Sequence, residues 1–190
     1  MKKFLITLLL LYSTYILSGA DYCRVVPFIL RAEGGYFKSE DTYKGVMYNP
    51  TWIKYFGYTR GRFLQMEESD WGYIFANEFW LPMRGYDIED QKIAESLADW
   101  AYNSGVTQVA KTTDRILGLP VDGKFDDATI KAINEAKAGW LWGEINKERI
   151  KFYIYLGDSK PEKYKKFVTG WNSRVINLLV FQYHAPEMCE

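Results

Sequence analysis

The chain has 190 residues, which favours one domain with little attached to it. Its 24 basic residues match 24 acidic ones, so it lacks the basic excess of a tight nucleic-acid binder. Hydrophobic residues make up 48% and charged residues 25%, a globular composition that excludes intrinsic disorder. Aromatic residues are in surplus at 17%, and such rings either fill a core or form faces on which sugars stack. Two cysteines and one histidine leave little material for a zinc site or a Cys–His nucleophile.

The first 20 residues are typical of a secretory signal peptide. Lys2-Lys3 precedes an uncharged run from Phe4 to Leu17, and Ser18-Gly19-Ala20 supplies small residues where a signal peptidase cuts. The run contains Thr, Ser and Tyr, so a permanent membrane span is the weaker alternative. We predict that residues 1–20 are a signal peptide or a signal anchor. The protein is then periplasmic or secreted, and it contacts the membrane only through this segment.

Export also affects the interpretation of the two cysteines. In an oxidising compartment, Cys23 and Cys189 can form a disulfide that ties the two ends of the chain together. Two unpaired thiols are the alternative, because the sequence does not place the two Cα atoms within bonding distance.

Beyond residue 20 the pattern predicts a mainly α protein with a small β element. An apolar first helix contains Val25 to Leu30 and ends at Gly34-Gly35. Residues 36–48 alternate around a polar stretch, which predicts a short hairpin. Helical patterning returns over residues 67–80, where four residues share one face: Trp71, Ile74, Phe75 and Phe79.

The centre of the chain gives the clearest helical pattern. A buried stripe ends at Asn103-Ser104-Gly105 and is formed by Ile93, Leu97, Trp100 and Ala101. A second stripe runs from Val106 to Leu117, with Gly118 placed as a C-cap. Asp122-Gly123 predicts a tight turn, and Asp126 can cap a short helix.

Two long helices are predicted to close the chain. The first is expected to bury Leu141, Ile145, Phe152 and Leu156. The second is expected to bury Tyr164, Phe167, Trp171, Val175 and Leu178. His184 follows in what the sequence presents as a polar tail, without an assigned role.

Glu33 is the strongest candidate for a catalytic group. It lies at the C-terminal end of the first helix, where the helix dipole and apolar neighbours both favour a protonated carboxyl group. A general acid must hold its proton near neutral pH, so this environment suits one. The ordinary alternative is a solvated helix end before a Gly-Gly stop.

Glycoside hydrolysis usually needs a second carboxylate. Asp41 lies eight residues after Glu33 in the predicted hairpin, and can face it across a cleft. A polar turn is the alternative for Asp41. Asp99 lies inside the buried central stripe, where an unpaired carboxylate is costly. We favour a hydrogen-bonded core residue that braces a neighbouring helix over a residue of the cleft.

These motifs together resemble a known family. Glu33-Gly34-Gly35-Tyr36 resembles the signature of glycoside hydrolase family 108, the bacterial and phage N-acetylmuramidases. The likeness continues through Thr42–Val46, Phe79-Trp80 and Leu97–Gly105, and residues 116–133 are similar to the start of a peptidoglycan-binding-type region. The resemblance implies a lysozyme-like helical fold with a small β-hairpin and Glu33 as the catalytic acid. The implied substrate is the β-1,4 bond between N-acetylmuramic acid and N-acetylglucosamine.

The resulting prediction is a secreted, monomeric peptidoglycan hydrolase that needs no cofactor or metal. Its partner is the peptidoglycan glycan strand, with no role for nucleic acid. Residues 21–105 are expected to form the catalytic region, and residues 106–185 a helical peptidoglycan-binding-type region packed into the same globule. Glu33 and Asp41 are the predicted catalytic residues, and the predicted substrate-binding residues are Tyr36, Thr42, Tyr43, Tyr48, Trp52, Asn103 and Ser104.

Two other functions remain open at this point. The segment from Phe37 to Asp41 is shorter than in the family, which favours a catalytically inactive peptidoglycan-binding protein. A lytic transglycosylase would use the same acid but leave anhydro-sugar ends. The biological setting can be a phage endolysin, cell-wall remodelling or aid to the secretion of a larger protein.

Overall fold

The computed structural model describes residues 19–34, 36–37, 42–47 and 59–184. For Tyr36, Phe37, Thr42 and Met47 it describes the backbone and not the side chain. Most of the predicted signal peptide therefore lies outside the described residues. Within the described ranges, no helix is both long enough and apolar enough to cross a membrane.

The described part of the chain is mainly helical, as the sequence predicts. Its α-helices are α1 (Tyr22–Glu33), α2 (Arg60–Phe63), α3 (Glu68–Phe75), α4 (Gln91–Ser104), α5 (Val106–Leu117), α6 (Asp127–Glu135), α7 (Ala138–Ser159) and α8 (Pro161–His184). The segment predicted as one helix over residues 67–80 consists of α3 and a following π-helical turn, Ala76–Trp80. A 3₁₀ turn at Gly85–Asp87 precedes α4.

Among the residues described between α1 and α2 are three two-residue strands. They are β1 (Tyr36–Phe37), β2 (Thr42–Tyr43) and β3 (Val46–Met47), paired antiparallel in the order β1-β2-β3. Tyr36 pairs with Tyr43, which in turn pairs with Val46. The predicted hairpin over residues 36–48 includes residues 38–41 and 48, which lie outside the described residues, so the hairpin as a whole stays a prediction.

Several helix ends follow directly from capping residues. The Asp21 side chain accepts a hydrogen bond from the backbone N–H of Cys23, at 2.9 Å, and begins α1. Gly34, with φ of 62°, ends the same helix, and Gly118, with φ of 70°, ends α5. Asp126 caps α6 through the N–H of Thr129 at 2.9 Å. The predicted ends at Gly34, Gly118 and Asp126 are confirmed.

Helix α4 lies at the centre of the core and packs on α1, α5 and α7. All four residues of its predicted stripe are buried: Ile93, Leu97, Trp100 and Ala101. Ser96 of the same helix accepts hydrogen bonds from Asn146 of α7 and Gln182 of α8, both at 3.2 Å. These bonds join α4 to both terminal helices inside the protein.

Helices α7 and α8 form an antiparallel pair whose burial differs from the prediction. Their core residues are Leu141, Ile145, Val175 and Leu178, as expected. The prediction of burial was wrong for five others, which are half-buried: Phe152, Leu156, Tyr164, Phe167 and Trp171. The C-terminal end of α7 and the N-terminal end of α8 pack mainly on each other. Aromatic contacts there, such as Phe167–Trp171 with ring centroids 5.6 Å apart, cover only part of each ring.

Candidate active site

Glu33 lies at the last residue of α1, directly before the left-handed turn at Gly34. Its side chain is 15% exposed, so the carboxyl group is largely removed from water while still reaching the surface. Burial raises the pKa of Glu33, although the cation of Arg174 opposes the shift, and the anion of Asp99 adds to it. The carboxyl group therefore favours its protonated form more than an exposed glutamate does.

Glu33 lies on the wall of a cleft of about 890 Å³, a volume typical of small-molecule sites. The cleft is formed by the end of α1, the end of α4 and one side of α8. Its aromatic walls come from Phe28, Trp171 and Phe181, and its polar lining includes Asn103, Arg174 and Asn177. An open cleft with aromatic and amide side chains around one acid can bind a neutral polar ring.

Arg174 joins Glu33 to a buried aspartate. One of its terminal nitrogens donates to Oε1 of Glu33, while its Nε and other terminal nitrogen donate to Asp99 Oδ1 at 3.0 and 2.7 Å. Arg149 donates to Asp99 Oδ2 at 2.7 Å, and its Nε donates to the hydroxyl of Tyr153 at 3.0 Å. Burial alone would raise the pKa of Asp99, but the two arginines outweigh it and hold that pKa below its usual range. Asp99 therefore stays ionised and braces α7 and α8 against α4, the structural role favoured from the sequence.

The turn between β2 and β3 lies against the Glu33 carboxyl group. Lys44 and Gly45 both have positive φ, 50° and 75°, as a two-residue hairpin turn of type I′ requires. The Lys44 carbonyl accepts hydrogen bonds from the Tyr102 hydroxyl at 2.7 Å and from Trp71 Nε1 at 3.2 Å. A Cβ atom on Gly45 would lie 2.7 Å from Cδ of Glu33 and nearer still to Oε2. Only a residue without a side chain fits beside the acid in this position.

The predicted site residues divide between this cleft and other places. Asn103 lines the cleft with Glu33, although its amide donates to the backbone carbonyl of Asp99 at 3.1 Å. Ser104 lies in a separate depression of about 450 Å³, beside Phe79 and the start of α5. Tyr43 is half-buried and packs edge-on against Phe63, with ring centroids 6.3 Å apart.

The remaining predicted residues are not tested by the described geometry. Tyr36 and Thr42 are placed by their backbone in β1 and β2, next to the turn that contacts Glu33. Asp41, Tyr48, Trp52 and Cys189 lie outside the described residues. Their roles, including the pairing of Cys189 with Cys23, stay predictions.

The sequence assigned no role to Arg174, the residue that joins Glu33 to Asp99 in the structure. It lies 141 residues from Glu33, and no local pattern connects the two. His184 was wrongly placed in a polar tail, since it is the last residue of α8 and lines the cleft. A helical pattern through residues 170–184, with polar residues on one face, is the sequence signal that could have placed both Arg174 and His184.

Within the described ranges, no group of three or more His, Cys, Asp or Glu side chains could hold a metal ion.

The fold is similar to a known structure. The structure of SagA from Brucella abortus superposes with a TM-score of 0.64 at 18% sequence identity, covering 82% of this chain and 94% of that one. No curated protein sequence matches the chain. At this level of identity the similarity concerns the fold alone.

Two family models match successive parts of the sequence. Residues 26–105, which include Glu33 and Asp99, match Glycosyl hydrolase 108, and residues 109–176, which include Arg149 and Arg174, match a Predicted Peptidoglycan domain. The matches define a glycoside hydrolase that acts on peptidoglycan, with a role at the cell wall. More particularly, the match over residues 26–105 is to glycosyl hydrolase family 108, the family that the motifs around Glu33 resemble.

Proposed function

We propose that the protein is a secreted N-acetylmuramidase that cleaves the β-1,4 bond between N-acetylmuramic acid and N-acetylglucosamine, with Glu33 as general acid. The observation that carries this proposal is a carboxyl group with a raised pKa on the wall of an open cleft of about 890 Å³. The match of residues 26–105 to Glycosyl hydrolase 108 supports the class of reaction.

The chemistry of Glu33 follows from its surroundings. A glycosidic oxygen is a poor leaving group until it receives a proton, and a carboxyl group that is neutral near neutral pH can supply it. Burial favours the neutral form, and the guanidinium of Arg174 stabilises the carboxylate that remains after transfer. The half-buried aromatic rings of Trp171 and Phe181 offer faces for sugar rings within the same cleft.

Asp99 is unsuited to act as the second carboxylate. Its side chain is fully buried, and both of its oxygens accept hydrogen bonds from arginines, so it cannot reach an anomeric carbon or a water in the cleft. We therefore assign the second role to Asp41. Residue 41 directly precedes β2, whose turn to β3 contacts Glu33. Tyr36, Thr42, Tyr48 and Trp52 are proposed to contribute to sugar binding.

Export and domain organisation complete the proposal. Residues 1–20 direct the chain out of the cytoplasm, as its cell-wall substrate requires. Residues 21–105 carry the acid, and residues 106–185 supply one wall of the cleft through α8. The second region therefore serves the site as well as any binding of peptidoglycan.

The experiment is digestion of purified peptidoglycan followed by mass spectrometry of the products. New reducing N-acetylmuramic ends support the muramidase. Anhydro-muramic ends would identify a lytic transglycosylase, and sedimentation with peptidoglycan without products would identify an inactive binding protein. Glu33→Gln should lower the rate by about 10²–10⁴-fold. Glu135→Gln, at a carboxylate that is 68% exposed and outside the cleft, is the matched control and should digest like the parent.

A further inference from the structure

Arg174 holds one particular oxygen of Glu33. Its guanidinium is fixed from the other side by Asp99, which accepts from two of its nitrogens, and Asp99 is fixed in turn by Arg149. The remaining terminal nitrogen of Arg174 donates to Oε1 of Glu33. Because an arginine pairing with a carboxylate in two places resists rotation, the direction of this third hydrogen bond is set by the buried pair.

This hydrogen bond distinguishes the two oxygens of Glu33. A guanidinium only donates hydrogen bonds and does not lose its proton in proteins. A proton on Oε1 would therefore point at an N–H group, so the proton of neutral Glu33 lies on Oε2. Oε2 is the oxygen beside Gly45, an exposed glycine of the β2–β3 turn that brings backbone and no side chain against it.

We propose that Arg174 is a positioning residue that makes Oε2 the proton-delivering atom of Glu33. This inference rests on the proposed muramidase function. In the step, the O–H bond of Oε2 breaks and the proton forms a bond to the glycosidic oxygen. The electron pair of the anomeric C–O bond leaves with that oxygen, the sugar ring takes the positive charge, and a water later adds to it. Arg174 stabilises the Glu33 carboxylate as it forms, since it already donates to Oε1.

The charged groups around Glu33 determine how its pKa should respond when Arg174 is replaced. A change in this pKa distinguishes the loss of the Arg174 charge from a loss of packing. Arg174 on α8 is the cation that lowers the pKa of Glu33, and Asp99 on α4 is the anion that raises it. Tyr102 on α4 is neutral, because burial and the nearby Glu33 raise its own pKa. Arg31 and His184 line the same cleft, and the β2–β3 turn presents backbone to the acid. Removing Arg174 should therefore raise the pKa of Glu33 further.

Three variants test the proposal on soluble peptidoglycan fragments. Arg174→Lys keeps the positive charge but cannot hydrogen-bond to Asp99 through two nitrogens and to Glu33 through a third. Its kcat should therefore fall about 10–100-fold, while KM and the basic limb of the pH profile stay unchanged. Arg174→Gln removes the charge, so kcat should fall and the basic limb should move to higher pH. In Arg174→Ala, added methylguanidinium should restore at least about tenfold of the lost rate, because the vacated position opens on the cleft.

Arg84→Ala is the matched control, since it removes an arginine from exposed ion pairs with Asp87 and Asp127. It should show parent kinetics and no response to methylguanidinium. If all three Arg174 variants keep the parent rate, or lose it with no shift of the basic limb and no rescue, Arg174 has a structural role and the proposal is wrong. If the Ala variant does not fold, the basic limb of Arg174→Gln decides the matter, since a purely structural role would leave it in place. A parent that releases no muramic ends would instead reject the proposed function.

Discussion

Replacing Gly45 with alanine should damage activity far more than stability. Gly45 lies in the β2–β3 turn with φ of 75°, and its missing Cβ faces Glu33. In the variant, the new methyl carbon would lie 2.7 Å from Cδ of Glu33 and 2.8 Å from Cε1 of Tyr102. Since real Cβ atoms do not approach other heavy atoms this closely, the acid or the turn must move.

The size of the two effects can be estimated separately. A displacement of the acid by about 1 Å costs about 100-fold in rate, because the proton no longer reaches the leaving oxygen in line. The left-handed backbone conformation costs about 1–2 kcal/mol for a residue with a Cβ. In a chain of this length that corresponds to a fall in Tm of about 2–8 °C.

Gly118→Ala is the matched control for the backbone strain. Gly118 has φ of 70°, and a Cβ added there would meet no atom within 4 Å. Both variants should lose a similar amount of stability in thermal unfolding, while only Gly45→Ala should fail to clear a turbid suspension of peptidoglycan. Equal rates of clearing by the two variants would refute the idea that the acid needs a residue without a side chain at position 45.

Three further predictions concern charge and covalent structure. Asp99→Asn leaves Arg149 buried beside a neutral partner and should lower the free energy of unfolding by about 3–5 kcal/mol near neutral pH. Because the pKa of Asp99 is lowered on folding, this loss should shrink in denaturant titrations as pH falls below about 4, where the unfolded parent takes up the proton. The raised pKa of Glu33 has the opposite sign, because its ionisation costs stability as pH rises through and above the usual carboxyl range. Glu33→Gln should therefore gain stability over the parent as pH rises above about 4, and a difference that stays constant with pH would contradict this. Alkylation of exported protein without reduction should label neither Cys23 nor Cys189 if they are paired, and reduction should then cost about 3–5 kcal/mol; labelling of both thiols would exclude the disulfide.

Local signals were sufficient for much of the fold. The stripe on α4 and the ends at Gly34, Gly118 and Asp126 depend on residues within one or two turns, so periodicity and capping predict them. The same reasoning singled out Glu33, because a helix end and its apolar neighbours are also local. The choice of a core role for Asp99 followed from the cost of burying an unpaired charge.

The parts that could not be predicted depend on contacts between distant residues. Arg174 reaches Glu33 across 141 residues and Asp99 across 75, and sequence spacing carries no information about such a meeting. The exposure of Trp171 and its neighbours depends on how far α7 and α8 extend beyond the core, which helical periodicity does not report. The contact of Gly45 with the acid likewise requires the turn to be held by Tyr102 and Trp71.

Because Arg149 and Arg174 both bind the Asp99 carboxylate, segments of this protein cannot be exchanged freely with those of a homologue. The two family matches meet between residues 105 and 109, which looks like a natural crossover point for exchanging cassettes between homologues. A crossover there separates the aspartate from both of its arginines. A chimaera that inherits the arginines without the aspartate carries two uncompensated cations in its interior, and the reciprocal chimaera carries an orphan anion. A partner for such an exchange must therefore supply matching residues of its own, or the triad of Asp99, Arg149 and Arg174 has to be transplanted as a unit.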